Sequence, residues 1–216
     1  MLKCGPLVLP SEGRALKFVK AKTSILVPRV YRSFQVDDPF EFYGTRGYLV
    51  MDYIKGQDMG DCGIHLTAAM IQQLQFQQLV LSEEVRVGVD SSDYGAGTFN
   101  SGSEMEAWFN HRLTICKHYN HAPHDIPSFD FHFQKFVLVH QDISPRNMIL
   151  DAAGMVWLAD WAHAGAYPPA FERAAIAGQY RFPEFNEMGL RVLPGCEVEV
   201  RQLRSIWYGL SVASLA

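Results

Sequence analysis

Residues Val137 to Asp151 read VLVHQDISPRNMILD, and this stretch decides the fold. It sets His140, Asp142 and Asn147 in the pattern H-x-D-x-x-x-x-N, between two short apolar runs. A further apolar run, VWLAD, ends at Asp160, thirteen residues after Asn147. Taken singly, an Asp or Asn in a loop is a turn former and a His is a structural residue. Typed positions at fixed offsets, with strands on both sides and a second Asp closing a third run, outweigh that reading, because flanking context confirms a motif. Phosphoryl transfer from ATP requires such a set. One carboxylate orients the attacking hydroxyl and accepts its proton, while a second carboxylate and an amide oxygen hold Mg²⁺ against the phosphates. The spacing places Asp142, Asn147 and Asp160 on the loop and strand ends of a compact hairpin-like unit.

These residues resemble the aminoglycoside phosphotransferase and choline kinase group of the protein-kinase-like fold. The resemblance lies in H-x-D-x-x-x-x-N followed by a hydrophobic strand and Asp160-Trp161, within LADWAHAG. Protein kinases carry Asp-Phe-Gly at that second position and usually Arg where Gln141 stands. Both departures favour the small-molecule branch, and no activation loop is recognisable. Runs like HQDISPRN and DWAHAGAYPP are also similar to those of uncharacterised, often fungal, members.

The resemblance implies an α+β, two-lobe fold. A reduced N-terminal lobe over residues 1–54 would grip the nucleotide, and a mostly helical C-terminal lobe over 55–216 would carry the chemistry. Asp142 is then the catalytic residue, Asn147 and Asp160 are the Mg²⁺ ligands, and His140 holds the loop by a hydrogen bond. Lys3 falls where the family's strand lysine lies, and Glu12 where its helix glutamate lies. Their ion pair would steady Lys3 against the phosphates of ATP. The plain alternative is a frayed terminal Lys and a solvated Glu. Gly13 departs from the family's run and weakens a helix by ~1 kcal/mol relative to Ala. Val50 to Ile54 resembles the hinge strand, so the backbone of Asp52 and Ile54 would dock adenine; the alternative is a plain buried strand.

The family normally has two strands and a phosphate-covering loop before the Lys strand. Here Lys3 is the third residue, so the expectation is a kinase trimmed at this end and also after its last helix. Slow turnover, or a kinase-like binding protein without turnover, is the second reading. The Gly- and Ser-rich GVDSSDYGAG and FNSGSE lack G-x-x-x-x-G-K-[ST] and lie on the wrong side of the hinge.

The chain has 216 residues, 48% hydrophobic and 19% charged, enough to bury a sizeable core. A net charge of -4 gives no basic footprint for nucleic acid or an anionic membrane. No apolar run approaches the ~18 residues of a membrane span, and no secretory signal is evident. Cys4, Cys62, Cys116 and Cys196 are widely spread, which fits reduced thiols in a cytoplasmic protein. His118, His121 and His124 have no cysteine near them and read as a solvated loop, not a zinc site. The substrate is expected to be a small hydroxylated molecule bound over the large lobe. Asp90, Asp93, Glu104, Glu106, Asp125 and Asp130 could draw a cationic ligand there, but scattered acids read first as solvated surface.

Periodicity predicts a helix over 11–22 capped by Ser11, a loop from Ile25 leading into a short strand, and a strand over 46–54 broken by Lys55-Gly56. Further helices are predicted over 66–81, from Ser103 with a Ser103-x-x-Glu106 capping box, and over 198–212 with Leu203, Ile206, Trp207 and Leu210 inward. Turn chemistry is expected over 88–102. Short strands are predicted over 137–139, 148–150 and 156–159.

Overall fold

The computed structural model describes residues 1–60, 88–91, 96–99, 101–131, 135–193 and 195–211. The helix expected over 66–81, together with Cys62 and Asp93, lies outside these residues. Strand β1 (Leu2–Gly5) leads into helix α1 (Pro10–Lys22), followed by β2 (Val30–Asp37), β3 (Thr45–Met51) and β4 (Gly56–Asp58). The segment 88–98 carries β5 (Gly88–Ser91) and β6 (Ala96–Thr98), an antiparallel pair where only turns are expected. Helix α2 (Gly102–His118) precedes β7 (Val137–Val139), a 3₁₀ turn (Pro145–Asn147), β8 (Met148–Asp151), β9 (Val156–Leu158) and β10 (Gly165–Tyr167). Helices α3 (Ala170–Gly178), α4 (Pro183–Val192), α5 (Glu197–Ser205) and α6 (Trp207–Ser211) complete the described chain. This is the α+β, kinase-like arrangement, with strands first and helices predominating later.

The first sheet has the order β1-β3-β2, antiparallel throughout, with Lys3 opposite Leu49. Alternation along TRGYLVM buries Gly47, Leu49 and Met51, which packs one face of the central strand against α1. Helix α1 begins one residue before the expected position. Pro10, with its fixed φ, occupies the first turn, so Ser11 is not the cap. Gly13 has a packing reason: a Cβ there would lie 2.6 Å from Ser33 Cβ on β2. The helix–sheet approach therefore requires glycine, and the propensity cost is accepted at that point. Gly56 does not break structure either. It opens β4, pairs with Asp151, and lets the strand approach Leu150 O, 2.4 Å from where a Cβ would sit.

The second sheet, β4-β8-β9, holds the segment after the H-x-D motif, and the β7–β10 pair holds the segment before it. One apolar cluster joins Leu16, Leu49 and Met51 to Met148, Leu158, Trp161 and Ile176. A second lies under α2, α3 and α5, where Phe109, Phe129, Phe131 and Phe171 meet edge to face or tilted.

Two further expectations are corrected. The cap of α2 is Ser101, whose side chain accepts from Glu104 N, and Glu106 instead accepts from Phe131 N at 2.7 Å. The last predicted helix breaks at Ile206 into α5 and α6. Leu203 and Ile206 face inward, but Trp207 is 70% exposed. Helices α3 and α4 are absent from the sequence reading, since the Pro168-Pro169 pair reads as an end and not as a helix start.

Candidate active site

The H-x-D loop hangs between β7 and the 3₁₀ turn, and the His140 ring braces it through two hydrogen bonds. His140 Nδ1 accepts from Asp142 N at 3.2 Å, so the ring proton resides on Nε2 and is donated to Ala159 O at 3.0 Å. Burial drives the His140 pKa down to about 4, with the Ala159 carbonyl and nearby acids pulling the other way, so the ring is a neutral brace. Trp161 packs edge-on against it, ring centroids 4.7 Å apart, and donates to Leu158 O.

Asn147 faces Asp142. Its Nδ2 donates to Asp142 O at 2.8 Å and to Asp142 Oδ2 at 2.9 Å, which turns Oδ1 of the amide away from Asp142. Asp142 Oδ1 pairs with Arg146 Nη2. Asn147 O accepts from Ala159 N at 2.8 Å, and Met148 pairs with Leu158, so the β8–β9 register brings Asp160 alongside Asn147.

Asp160 meets the N-terminal sheet. Lys3 Nζ lies 2.8 Å from Asp160 Oδ1, 2.9 Å from Glu12 Oε1 and 3.0 Å from Glu12 Oε2. Burial opposes the charge on Lys3, but Glu12 and Asp160 outweigh it and raise its pKa. Burial likewise opposes the charge on Asp160, and the Lys3 hydrogen bond and charge carry its pKa below the ordinary value. At Glu12, burial raises the carboxyl and Lys3 pulls it back. Both Glu12 oxygens accept from one ammonium, which is the geometry of an ionised carboxylate.

The hinge residues are less simply placed. Asp52 N donates to Arg29 O at 3.0 Å, and its carboxylate accepts from Arg29 N and Tyr31 Oη. Docking of adenine at Asp52 would therefore use its carbonyl. Ile54 lies beyond the end of β3, in the segment leading to β4.

Sequence reasoning misses Glu172. It sits in the first turn of α3, only 6% exposed, and its carboxylate accepts from the consecutive backbone N–H groups of His140 and Gln141. Burial pushes its pKa up to about 7, with those N–H bonds acting in the opposite sense. Gln141 and Asp160 both adopt left-handed backbone, φ 64° and 57°. Such a conformation costs a non-glycine residue about 1–3 kcal/mol and persists only where its surroundings over-determine it. At Gln141 those surroundings are Glu172 and a side-chain bond to His163 O. Gln179, after α3, adds a bond to Ile143 O. An acid in the first turn of an apolar segment, PPAFE, was the available signal, but it has no fixed offset from the motif.

Among the described residues no group of three His, Cys, Asp or Glu forms a metal cage. The donors here suit Mg²⁺ in its usual mode, in which one or two protein oxygens suffice and phosphates and water complete the shell. Asp160, held ionised, and the outward Oδ1 of Asn147 could supply such oxygens.

The phosphotransferase enzyme family, APH, matches residues 6–193. The chain belongs to this family. No curated protein sequence matches it. Its fold is similar to solved structures of three phosphotransferases. With aminoglycoside phosphotransferase APH(4)-Ia it shares 15% identity at a TM-score of 0.54, over 99% of this chain and 76% of that one. With spectinomycin phosphotransferase APH(9)-Ia, solved with ADP and spectinomycin, the figures are 12%, 0.52, 94% and 70%. With macrolide 2′-phosphotransferase MphH from Brachybacterium faecium they are 13%, 0.51, 94% and 73%. At these identities the likeness shows the fold.

Proposed function

We propose that this phosphotransferase-family chain moves the γ-phosphoryl group of ATP, with Mg²⁺, to a hydroxyl of a small molecule. The observation that carries this reading is the meeting of Lys3, Glu12 and Asp160 beside the Asp142–Asn147 loop. ATP use is supported by the relative solved with ADP.

Asp142 is the catalytic residue. The substrate oxygen attacks the γ-phosphorus as the bond to the bridging oxygen of ADP breaks, and the hydroxyl proton passes to the Asp142 carboxylate. The transition state is loose, so orientation by Asp142 counts for more than basicity. Asn147 fixes the Asp142 carboxylate through Nδ2 and offers Oδ1 to the metal. Lys3, aligned by Glu12, is the phosphate-binding cation. Mg²⁺ held at Asn147 and Asp160 would neutralise charge gathering on the phosphate oxygens. His140 stays neutral and positions Asp142 through its backbone. Residues 1–54, with Asp52 and Ile54 at the hinge, form the nucleotide side, and residues 55–216 carry the chemistry.

The test is ADP release with ATP, Mg²⁺ and a panel of hydroxylated compounds. Asp142→Asn is expected to lower turnover by roughly 10²–10⁴-fold with ATP affinity little changed. Equal turnover in the two proteins would contradict the assignment.

A further inference from the structure

A cavity of about 650 Å³ opens directly on Asp142 and Gln141. Its size falls within the roughly 300–1,000 Å³ of small-molecule sites. Its walls come from α2, α3, α5 and α6 and from Phe99, just after β6, and most of their bulk is aromatic and aliphatic, with Trp108, Phe171, Leu203, Trp207 and Leu210. Among the described lining residues Asp142 is the only carboxylate, and Arg146 already pairs with it. Arg204 adds a second guanidinium at the exposed side of α5, one turn before Trp207. Trp207 is 70% exposed although its ring borders an apolar cavity. An apolar ligand seated there would cover that ring.

Two acids that could have favoured a polycation are engaged elsewhere. Glu106 accepts from Phe131 N, and Asp125 pairs with Arg201. A ligand with several ammonium groups would meet Arg146 and Arg204 with, among the described lining residues, one carboxylate to offset them. We infer that this cavity takes an apolar ring alcohol without cationic groups, its hydroxyl directed at Asp142 and its ring body against Trp207 and Phe171. This inference rests on the reading of Asp142 as the residue that faces the substrate hydroxyl.

The experiment titrates the full chain with naphthaleneethanol, an uncharged apolar ring alcohol, and with kanamycin, a polycation. Binding is read by calorimetry and tryptophan fluorescence. The alcohol is expected to bind saturably and more tightly than kanamycin. Trp207→Asp, a surface change, should weaken the alcohol roughly tenfold, while Trp207→Phe retains it. Tighter binding of kanamycin, absence of saturable binding by the alcohol, or equal affinity in Trp207→Asp would overturn the inference. ATP-dependent phosphorylation of kanamycin would overturn it too, yet leave phosphotransfer standing. Alcohol binding in a chain that fails to bind ATP would do the reverse.

Discussion

The ammonium of Lys3 and the carboxylate of Asp160 lie 2.8 Å apart across 157 residues of chain. This contact joins the edge strand of the N-terminal sheet to the end of β9. It also brings the glutamate of α1 into the same site, because Lys3 bonds both Glu12 oxygens at the same time.

Replacing Lys3 with Met therefore leaves Glu12, 1% exposed, without its cation. Removing one partner of a fully buried pair costs about 3–5 kcal/mol. Lys3 keeps 32% of its side chain in water, so about 2 kcal/mol is expected here. Urea denaturation of Lys3→Met checks this. The double variant Lys3→Met/Glu12→Gln should recover part of the loss, and no recovery would contradict the pairing.

Gly13→Ala should destabilise the fold although alanine is the better helix former by ~1 kcal/mol. The added Cβ meets Ser33 Cβ at 2.6 Å, and overpacking of this kind costs about 1–3 kcal/mol. Thermal denaturation should show recovery in Gly13→Ala/Ser33→Gly. A Gly13→Ala protein more stable than wild type would refute the packing account.

Glu172 gives a pH signature. Its carboxyl stands at about 7 in the fold against an ordinary 4.5. As pH rises through this window the unfolded chain gives up the proton before the folded one, so the contribution is full below about 4.5 and is lost as pH passes 7. His140, at about 4 against 6.5, has the opposite slope between those values, present above 6.5 and lost towards 4. Comparing wild type with Glu172→Gln isolates the Glu172 slope, because His140 is common to both. Wild type should lose ground to the variant between pH 4.5 and 7 in denaturant midpoints. A pH-independent difference would show that Glu172 is ionised throughout.

What the sequence makes legible is what local order encodes. The offsets from His140 to Asn147 and the apolar runs around them place a hairpin, and Asp160 follows from the β8–β9 pairing. Lys3 and Glu12 are too isolated for periodicity to join, and the resemblance to the family supplied that pairing. Glu172 escapes because its relation to His140 is tertiary, across 32 residues, and a lone acid early in a helix has many ordinary explanations. The α2 cap shows degeneracy of another kind. Ser101 and Ser103 each precede a glutamate by three residues, and local pattern cannot rank them. The backbone N–H of Phe131 decides the matter by taking Glu106. At Ile206 the helical period persists in sequence while the helix breaks, so Trp207 turns to the cavity rim and not to the core.

Calorimetric titration with ATP, in the presence and absence of Mg²⁺, on wild type and Asp160→Ala tests the central claim most directly. The account predicts binding that strengthens with Mg²⁺ in wild type, and loss of that strengthening in Asp160→Ala. Equal ATP affinity with and without Mg²⁺ in both proteins would contradict the assignment of Asn147 and Asp160 as the metal-holding pair.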